Sequence, residues 1–354
     1  MVLSVYCRVK DNPINYKILS DNISSLSIPY KKKLYEFNVN NVWQNLQNKD
    51  VFNNLMRSNL SKINYWILFG YTGTGKTYTT NGILNELFSF YNKGISISAI
   101  QIYNNEIFDL LTKKKLKFFK TTQLVIKNKS TISINNKYDI TTFMNLLKKN
   151  RSQNSTSHNA VSSRSHAIIH VITKEAEFII VDMAGQETSI NYKNKKIQQE
   201  GSANNLNMLA LKECIRSLYN KDKYIPYRRT LLTFALKPMF SGTFNTSFIC
   251  TITTNMNIFN QIDSLKYANQ LFECSKQNKQ LNCDNFLKDY NKYIIDSGWY
   301  TSNDIKIWRE IKKKNYKNIS NISKYLIKKI ELLTTFKNIL KKYQKINPEI
   351  FDNL

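Results

Sequence analysis

Hydrophobic positions along the chain fall into two patterns. Short apolar runs rich in β-branched and aromatic residues occur at 2–9 (VLSVYCRV), 62–69 (KINYWILF), 95–103 (ISISAIQIY), 178–181 (FIIV) and 247–254 (SFICTITT). Runs of that length and composition predict buried strands. Between them the apolar spacing lengthens to three and four, which predicts helices from Thr77, over 140–149 and over 199–218. Strands alternating with helices imply an α/β architecture, a central sheet covered on both faces. Near Glu273 the pattern changes, and the chain beyond is polar, Lys- and Asn-rich and without a strand run. There Leu326, Ile330, Leu333, Phe336, Leu340 and Tyr343 recur at helical spacing. They predict an amphipathic helix able to dock on the core, to meet a partner helix or to self-associate. Without sustained heptads a long coiled coil is not expected. The expected organisation is one α/β domain over 1–272 and a helical extension over 273–354.

The strongest chemical signal follows the second strand run. Gly70, Tyr71, Thr72, Gly73, Thr74, Gly75, Lys76 and Thr77 fit GxxxxGK(S/T) between a buried strand and a helix start. Glycines there let backbone N–H groups close around phosphate oxygens, and the helix N-terminus adds partial positive charge. Lys76 would neutralise phosphates and the Thr77 hydroxyl would ligate Mg²⁺. Such a loop needs a metal-holding acid on a neighbouring strand, and Asp182 closes the run at 178–181. Gly185, three residues on, lets a backbone N–H approach a terminal phosphate. A third stretch, Asn159 to His166 (NAVSSRSH), offers consecutive hydroxyls and an arginine able to pair with Glu187. His166 alone reads as structural.

Composition changes this picture little. The 354 residues, 42% hydrophobic, suffice for a large core. Lys and Arg number 52 against 25 acidic residues, a net charge of +27 that attracts polyanions. Lys, Asn, Ile and Tyr are abundant throughout, so the charge admits an acidic partner without choosing one. The five cysteines are widely spaced with no CxxC pair, which reads as reduced thiols, not a zinc site or disulfide framework. No apolar run approaches the roughly 18 residues of a membrane span, and the strand-like 2–9 run does not read as a signal peptide. A soluble intracellular protein without membrane contact is expected.

Taken together and in order, these elements resemble the kinesin motor domain. The loop GYTGTGKTYT is similar to the kinesin form, NAVSSRSH to its switch I and DMAGQE to its switch II. Val5 to Lys10 resembles the opening strand, 102–111 (IYNNEIFDLL) the family's IYNExxxDLL, and 200–211 the start of the long helix after switch II. Ile225-Pro226-Tyr227-Arg228 with Leu232-Thr233 is similar to IPYRxSKLT, and Ser264 to Ala268 to the last motor helix. The resemblance spans about residues 4–272. It implies a phosphate-loop NTPase of the kinesin type that binds ATP and Mg²⁺, is stimulated by microtubules, and works in the cytoplasm on cytoskeletal arrays such as the spindle. Gly70 to Thr77, with Tyr78 and Arg8, would hold the nucleotide. Thr77, Ser163 and, through water, Asp182 would hold the metal. Ser162 and Gly185 would sense the terminal phosphate, and Arg164 with Glu187 would form the gating salt bridge.

Lys212, Arg216, Lys223, Arg228 and Arg229 would face the acidic microtubule. Leu211 to Arg216 (LKECIR) resembles the internal-motor subfamily that depolymerises microtubules, and 156–159 and Glu200-Gly201 point the same way. That subfamily's Lys-Val-Asp finger is absent from the sequence, and the stretch 11–36 is short. Asp11 stands where RxRP has proline, Asn207 where serine is usual, Leu231 for the lysine of SKLT and Arg229 for an acid. Two other classes stay open: a nucleotide-insensitive microtubule-binding module, and a phosphate-loop enzyme acting on nucleic acid. No base-stacking or groove-reading motif supports the last, so nucleic acid is not an expected partner.

Overall fold

A computed structural model describes residues 3–20, 23–57, 62–120, 124–152, 165–186, 195–240 and 244–276. In chain order the elements are β1 (Leu3–Lys10), β2 (Tyr16–Ser20), β3 (Ile23–Tyr30), β4 (Lys33–Val39), β5 (Asn41–Gln44), α1 (Asn48–Arg57), β6 (Ile63–Phe69), α2 (Lys76–Tyr91), β7 (Ile95–Tyr103), β8 (Glu106–Asp109), β9 (Phe118–Lys120), β10 (Leu124–Ile126), β11 (Ile132–Ile134), α3 (Lys137–Ser152), β12 (His166–Ile172), β13 (Glu177–Asp182), α4 (Lys195–Asn220), α5 (Leu231–Ala235) and β14 (Asn245–Thr253). A last helix, α6, covers 258–276. The amphipathic helix expected near 326–343 lies outside the described residues. No helix among the described residues is long and apolar enough to cross a membrane.

Among the described residues the main sheet has nine strands, in the order β11-β7-β12-β13-β6-β14-β1-β5, with β8 paired to β7. From β13 through β5 every neighbour is parallel, whereas β12, β7, β11 and β8 pair antiparallel. The parallel centre explains the continuous apolar runs, since a strand covered on both faces has no polar side. β14 is buried at every position. The remaining strands form a three-stranded antiparallel sheet, β2-β3-β4, and the hairpin β9-β10.

Alternation along the strands sorts side chains between two helical layers. On one face Trp66 and Leu68 of β6 and Phe178 and Ile180 of β13 join Val51, Phe52 and Leu55 of α1, Ile83, Leu84, Leu87 and Phe88 of α2, and Phe143 and Leu147 of α3 in one core. Each such side chain, fully buried, contributes about 1.5–3 kcal/mol. On the other face Phe248 packs against Phe69 and Phe240, and Tyr227 stacks on Phe240. Period two then decides where the strand-end residues aim. Asp182 continues the Phe178–Ile180 side and points toward α2 and α3. Arg8 continues the side of Tyr6, itself part of the same core, and points toward α1 and α2.

Candidate functional site: a phosphate loop and its metal-side carboxylate

The loop from β6 into α2 turns on glycines. Gly70, Gly73 and Gly75 have φ of 144°, 81° and 97°. A Cβ on Gly70 would stand 2.3 Å from the Thr251 carbonyl oxygen of β14, so the loop passes against that strand without room for a side chain. The Thr74 hydroxyl meets the Thr251 hydroxyl at 2.7 Å and donates to the Tyr71 carbonyl at 2.7 Å. Lys76, the first residue of α2, is buried, and its ammonium donates to the carbonyls of Gly70 at 2.9 Å and Tyr71 at 2.7 Å. The charge of Lys76 therefore sits at the loop and not in solvent.

Beside it the Thr77 hydroxyl donates to Asp182 Oδ2 at 2.7 Å. The two groups expected to share a metal are thus in contact, brought together by the first turn of α2 and the C-terminal end of β13. Asp182 is fully buried, and its Oδ1 has no hydrogen-bond partner among the described residues. A buried carboxylate oxygen without a donor is costly unless a cation or water meets it. The donor set, a hydroxyl and a carboxylate, is the oxygen chemistry that Mg²⁺ takes, so these residues fit the metal.

One residue of this site was not expected. Arg151, buried in the last turn of α3, forms a salt bridge with Asp182 Oδ2 and donates to the carbonyl of Ser165 at 3.2 Å. The helical run was expected to stop at 149, but α3 continues to Ser152. Spacing of four places Arg151 on the face that buries Phe143 and Leu147. A cation at the end of an apolar stripe was the available signal. By itself such an arginine reads as a complement to the helix dipole.

After Asp182 the Met183 N–H donates to the Leu68 carbonyl of β6 at 3.1 Å, and further ties follow. The Ala184 N–H donates to His166 Nδ1 at 3.1 Å, which assigns the ring proton to Nε2 and gives this buried histidine a positioning role. Gln186 Oε1 accepts from the Ser264 hydroxyl of α6 at 3.5 Å. Gly185 lies between these ties. Ser162, Ser163, Arg164 and Glu187 lie outside the described residues.

On the far side of the loop a cavity of about 560 Å³ is lined by Arg8, Lys10, Asp11, Asn45, Tyr78 and Thr79, among others. The Arg8 guanidinium lies 5.6 Å from the Tyr78 ring centroid. It is held by Asn48 Oδ1 at 2.6 Å, the Thr79 hydroxyl at 2.8 Å and the Leu46 carbonyl at 3.0 Å. Burial lowers the pKa of Arg8 from its ordinary value. An exposed aromatic ring and a fixed guanidinium plane suit a stacked base. Asp11, in place of proline, has φ of 70° and is tied to Thr253 and Asn255, so the substitution is absorbed by a turn against β14. Asn48 is itself clamped, because a Cβ on Gly82 of α2 would come within 2.1 Å of its carboxamide. Gly82→Ala is expected to lower stability by about 1–3 kcal/mol and to weaken nucleotide binding by releasing Arg8. Denaturant unfolding and nucleotide titration check the two effects.

The basic positions on α4 and beyond are differently engaged. Arg216, Lys223, Arg228 and Arg229 are exposed. Arg228 lies 5.3 Å over the Phe234 ring, and Arg229 pairs with Glu213. Lys212 instead turns toward α6, bonding Asp263 at 2.8 Å. Leu231, at the position where lysine was expected, is fully buried. Thr230 and Thr233 form a capping box at the start of α5.

A glycine-turned loop between strand and helix, a buried lysine at its end and a hydroxyl–carboxylate pair beside it define a phosphate-loop nucleoside triphosphatase fold. The kinesin motor domain family model matches residues 11–274, and the chain belongs to that family. Kinesin-like protein KIN-8B of Arabidopsis thaliana is 29% identical over 266 residues, covering 64% of this chain and 33% of the relative. Kinesin-like protein KIN-13B of the same plant is 30% identical over 243 residues, covering 59% of this chain and 35% of the relative. The chain thus spans about a third of the length of these curated relatives. The motor domain of the Saccharomyces cerevisiae kinesin-related protein Kar3 superposes with a TM-score of 0.60 at 23% identity, over 76% of this chain and 99% of that structure.

Proposed function

We propose that this chain is an Mg·ATP-hydrolysing motor that binds microtubules and converts hydrolysis into movement along them or into loss of tubulin from their ends. The observation that carries the reading is the 2.7 Å contact of Thr77 with Asp182 beside the glycine-turned loop. Lys76, Thr77 and the loop N–H groups would hold the phosphates. Thr77, Ser163 and, through water, Asp182 would hold Mg²⁺, which supplies charge neutralisation for the transferred phosphoryl group. Arg8 and Tyr78 would flank the base. Ser162 and Gly185 would sense the terminal phosphate, with Arg164 and Glu187 as the gating pair. The motor domain is proposed to occupy residues 1–272, with 273–354 a helical extension.

The microtubule side of the proposal rests on the outer face of α4. Leu206, Leu209, Arg216 and Tyr219, spaced at three and seven, are all exposed there, an apolar and basic stripe of the kind that partner surfaces cover. Lys223, Arg228 and Arg229 extend its charge, which suits an acidic tubulin surface. The resemblance of the LKECIR segment to the internal-motor subfamily favours depolymerisation, and the missing Lys-Val-Asp finger favours stepping. ATP turnover is expected to rise by roughly tenfold or more when microtubules are added, a gain of about 1.4 kcal/mol in barrier. A stimulated rate equal to the basal rate would leave the nucleotide-insensitive binding module as the better description. Imaging stabilised microtubules with ATP then separates shortening ends from gliding filaments.

A further inference from the structure

Asp263 of α6 receives two donors from elements far apart in the chain. Its Oδ2 accepts from the Tyr71 hydroxyl of the phosphate loop at 3.3 Å and from the Lys212 ammonium of α4 at 2.8 Å. The Lys212 ammonium also lies 4.2 Å over the ring of Tyr267, one turn further along α6. The next residue, Ser264, donates to Gln186 in the segment that follows Asp182. One turn of α6 therefore touches the phosphate loop, the segment after the metal-side carboxylate, and α4.

Tyr71 matters to the loop through its backbone as well as its hydroxyl. Its carbonyl accepts from both Lys76 and the Thr74 hydroxyl, each at 2.7 Å. A displacement of Tyr71 would displace the acceptor that fixes the Lys76 ammonium. Asp263 and Lys212 are each about a third exposed or less, so their pairing is only partly screened by solvent. Lys212 sits at the flank of α4 beside the exposed Leu209 and Arg216, three and four residues away, and is half-buried because its ammonium reaches across to α6.

We infer that Asp263 is a positioning residue that couples the phosphate loop to α4, with Lys212 acting as the coupler and not as a surface contact. The inference rests on the proposed nucleotide site and deepens it. A shift of α4 that lengthens the Lys212–Asp263 pair loosens Tyr71, and with it the seat of Lys76. By linkage, nucleotide binding biases α4 in return. Asp263 touches neither the phosphates nor the metal in this scheme, and it acts only through Tyr71.

The test measures the Kd for a fluorescent ATP analogue with Mg²⁺ on the full chain and its variants. Lys212→Met is expected to weaken binding about fivefold or more, the lower end of typical coupling between sites, while Lys212→Arg, which keeps the ion pair, stays within about twofold of the unaltered chain. Tyr71→Phe, which removes only the hydroxyl, is expected to weaken binding in the same direction. In an Asp263→Asn background the effect of Lys212→Met should vanish, because the two changes act on one connection. An equal effect of Lys212→Met in both backgrounds, or none in either, overturns the inference. Should Asp263→Asn fail to fold, the contrast between Lys212→Met and Lys212→Arg decides alone. If the unaltered chain binds no Mg·ATP, the nucleotide reading itself fails, an outcome distinct from the loss of coupling.

Discussion

Arg151→Leu is expected to destabilise the metal-free protein by about 3–5 kcal/mol, because it leaves the carboxylate of Asp182 charged, buried and without its cation. The pair is enclosed on all sides: Arg151 comes from the last turn of α3 and Asp182 from the end of β13, and both are buried. Removing one partner of such a pair costs more than removing both, since the remaining charge cannot recover its hydration. The double variant Arg151→Leu with Asp182→Asn is therefore expected to be more stable than the single one. Urea or guanidinium unfolding, with midpoints and slopes fitted together, measures both. A single variant within about 1 kcal/mol of the unaltered chain would mean that solvent reaches Asp182 freely. Excess Mg·ATP should recover part of the loss if the nucleotide site is as proposed, since a ligand that binds only the folded state stabilises it by mass action.

Lys76→Met should abolish ATP turnover, with kcat reduced by at least about a hundredfold, the usual cost of removing one preorganised charge from a phosphoryl-transfer site. Its ammonium is pinned by two carbonyls of its own loop, so it is preorganised where phosphate charge would develop. Methionine keeps the length and apolar stem but lacks the donor. The loop carbonyls of Gly70 and Tyr71 then lose a partner, and a stability decrease of about 1–3 kcal/mol should accompany the kinetic loss. Steady-state turnover beside thermal unfolding separates the two. Microtubule binding that nucleotide leaves unchanged, in Lys76→Met and in the unaltered chain alike, would favour the nucleotide-insensitive module over the motor.

The contrast between these two residues shows what could be read along the chain. Lys76 is legible because its chemistry is local: glycines, lysine and hydroxyl are consecutive, and strand and helix flank them directly. Arg151 lies 31 residues from Asp182 in sequence. Its role depends on α3 lying over β13, which no local pattern encodes. The same holds for Asn48, whose contact with Arg8 spans 40 residues. Asp263 meets Tyr71 across 192 residues. Strands β2 to β5 and β8 to β11 were also not anticipated, because their apolar residues are few or interrupted by polar ones and lack the continuous run that marks the parallel centre.

The order of apolar runs determined an α/β architecture with a central sheet of buried strands, and consecutive residues determined the phosphate loop, the strand-end carboxylate and the kinesin resemblance. These are properties of period and adjacency, which a linear chain carries. The tertiary structure alone decided that Thr77 and Asp182 touch, that Arg151 neutralises that carboxylate, and that Lys212 faces α6 and not solvent. Each depends on which faces of distant elements meet, and that is settled by packing the whole core.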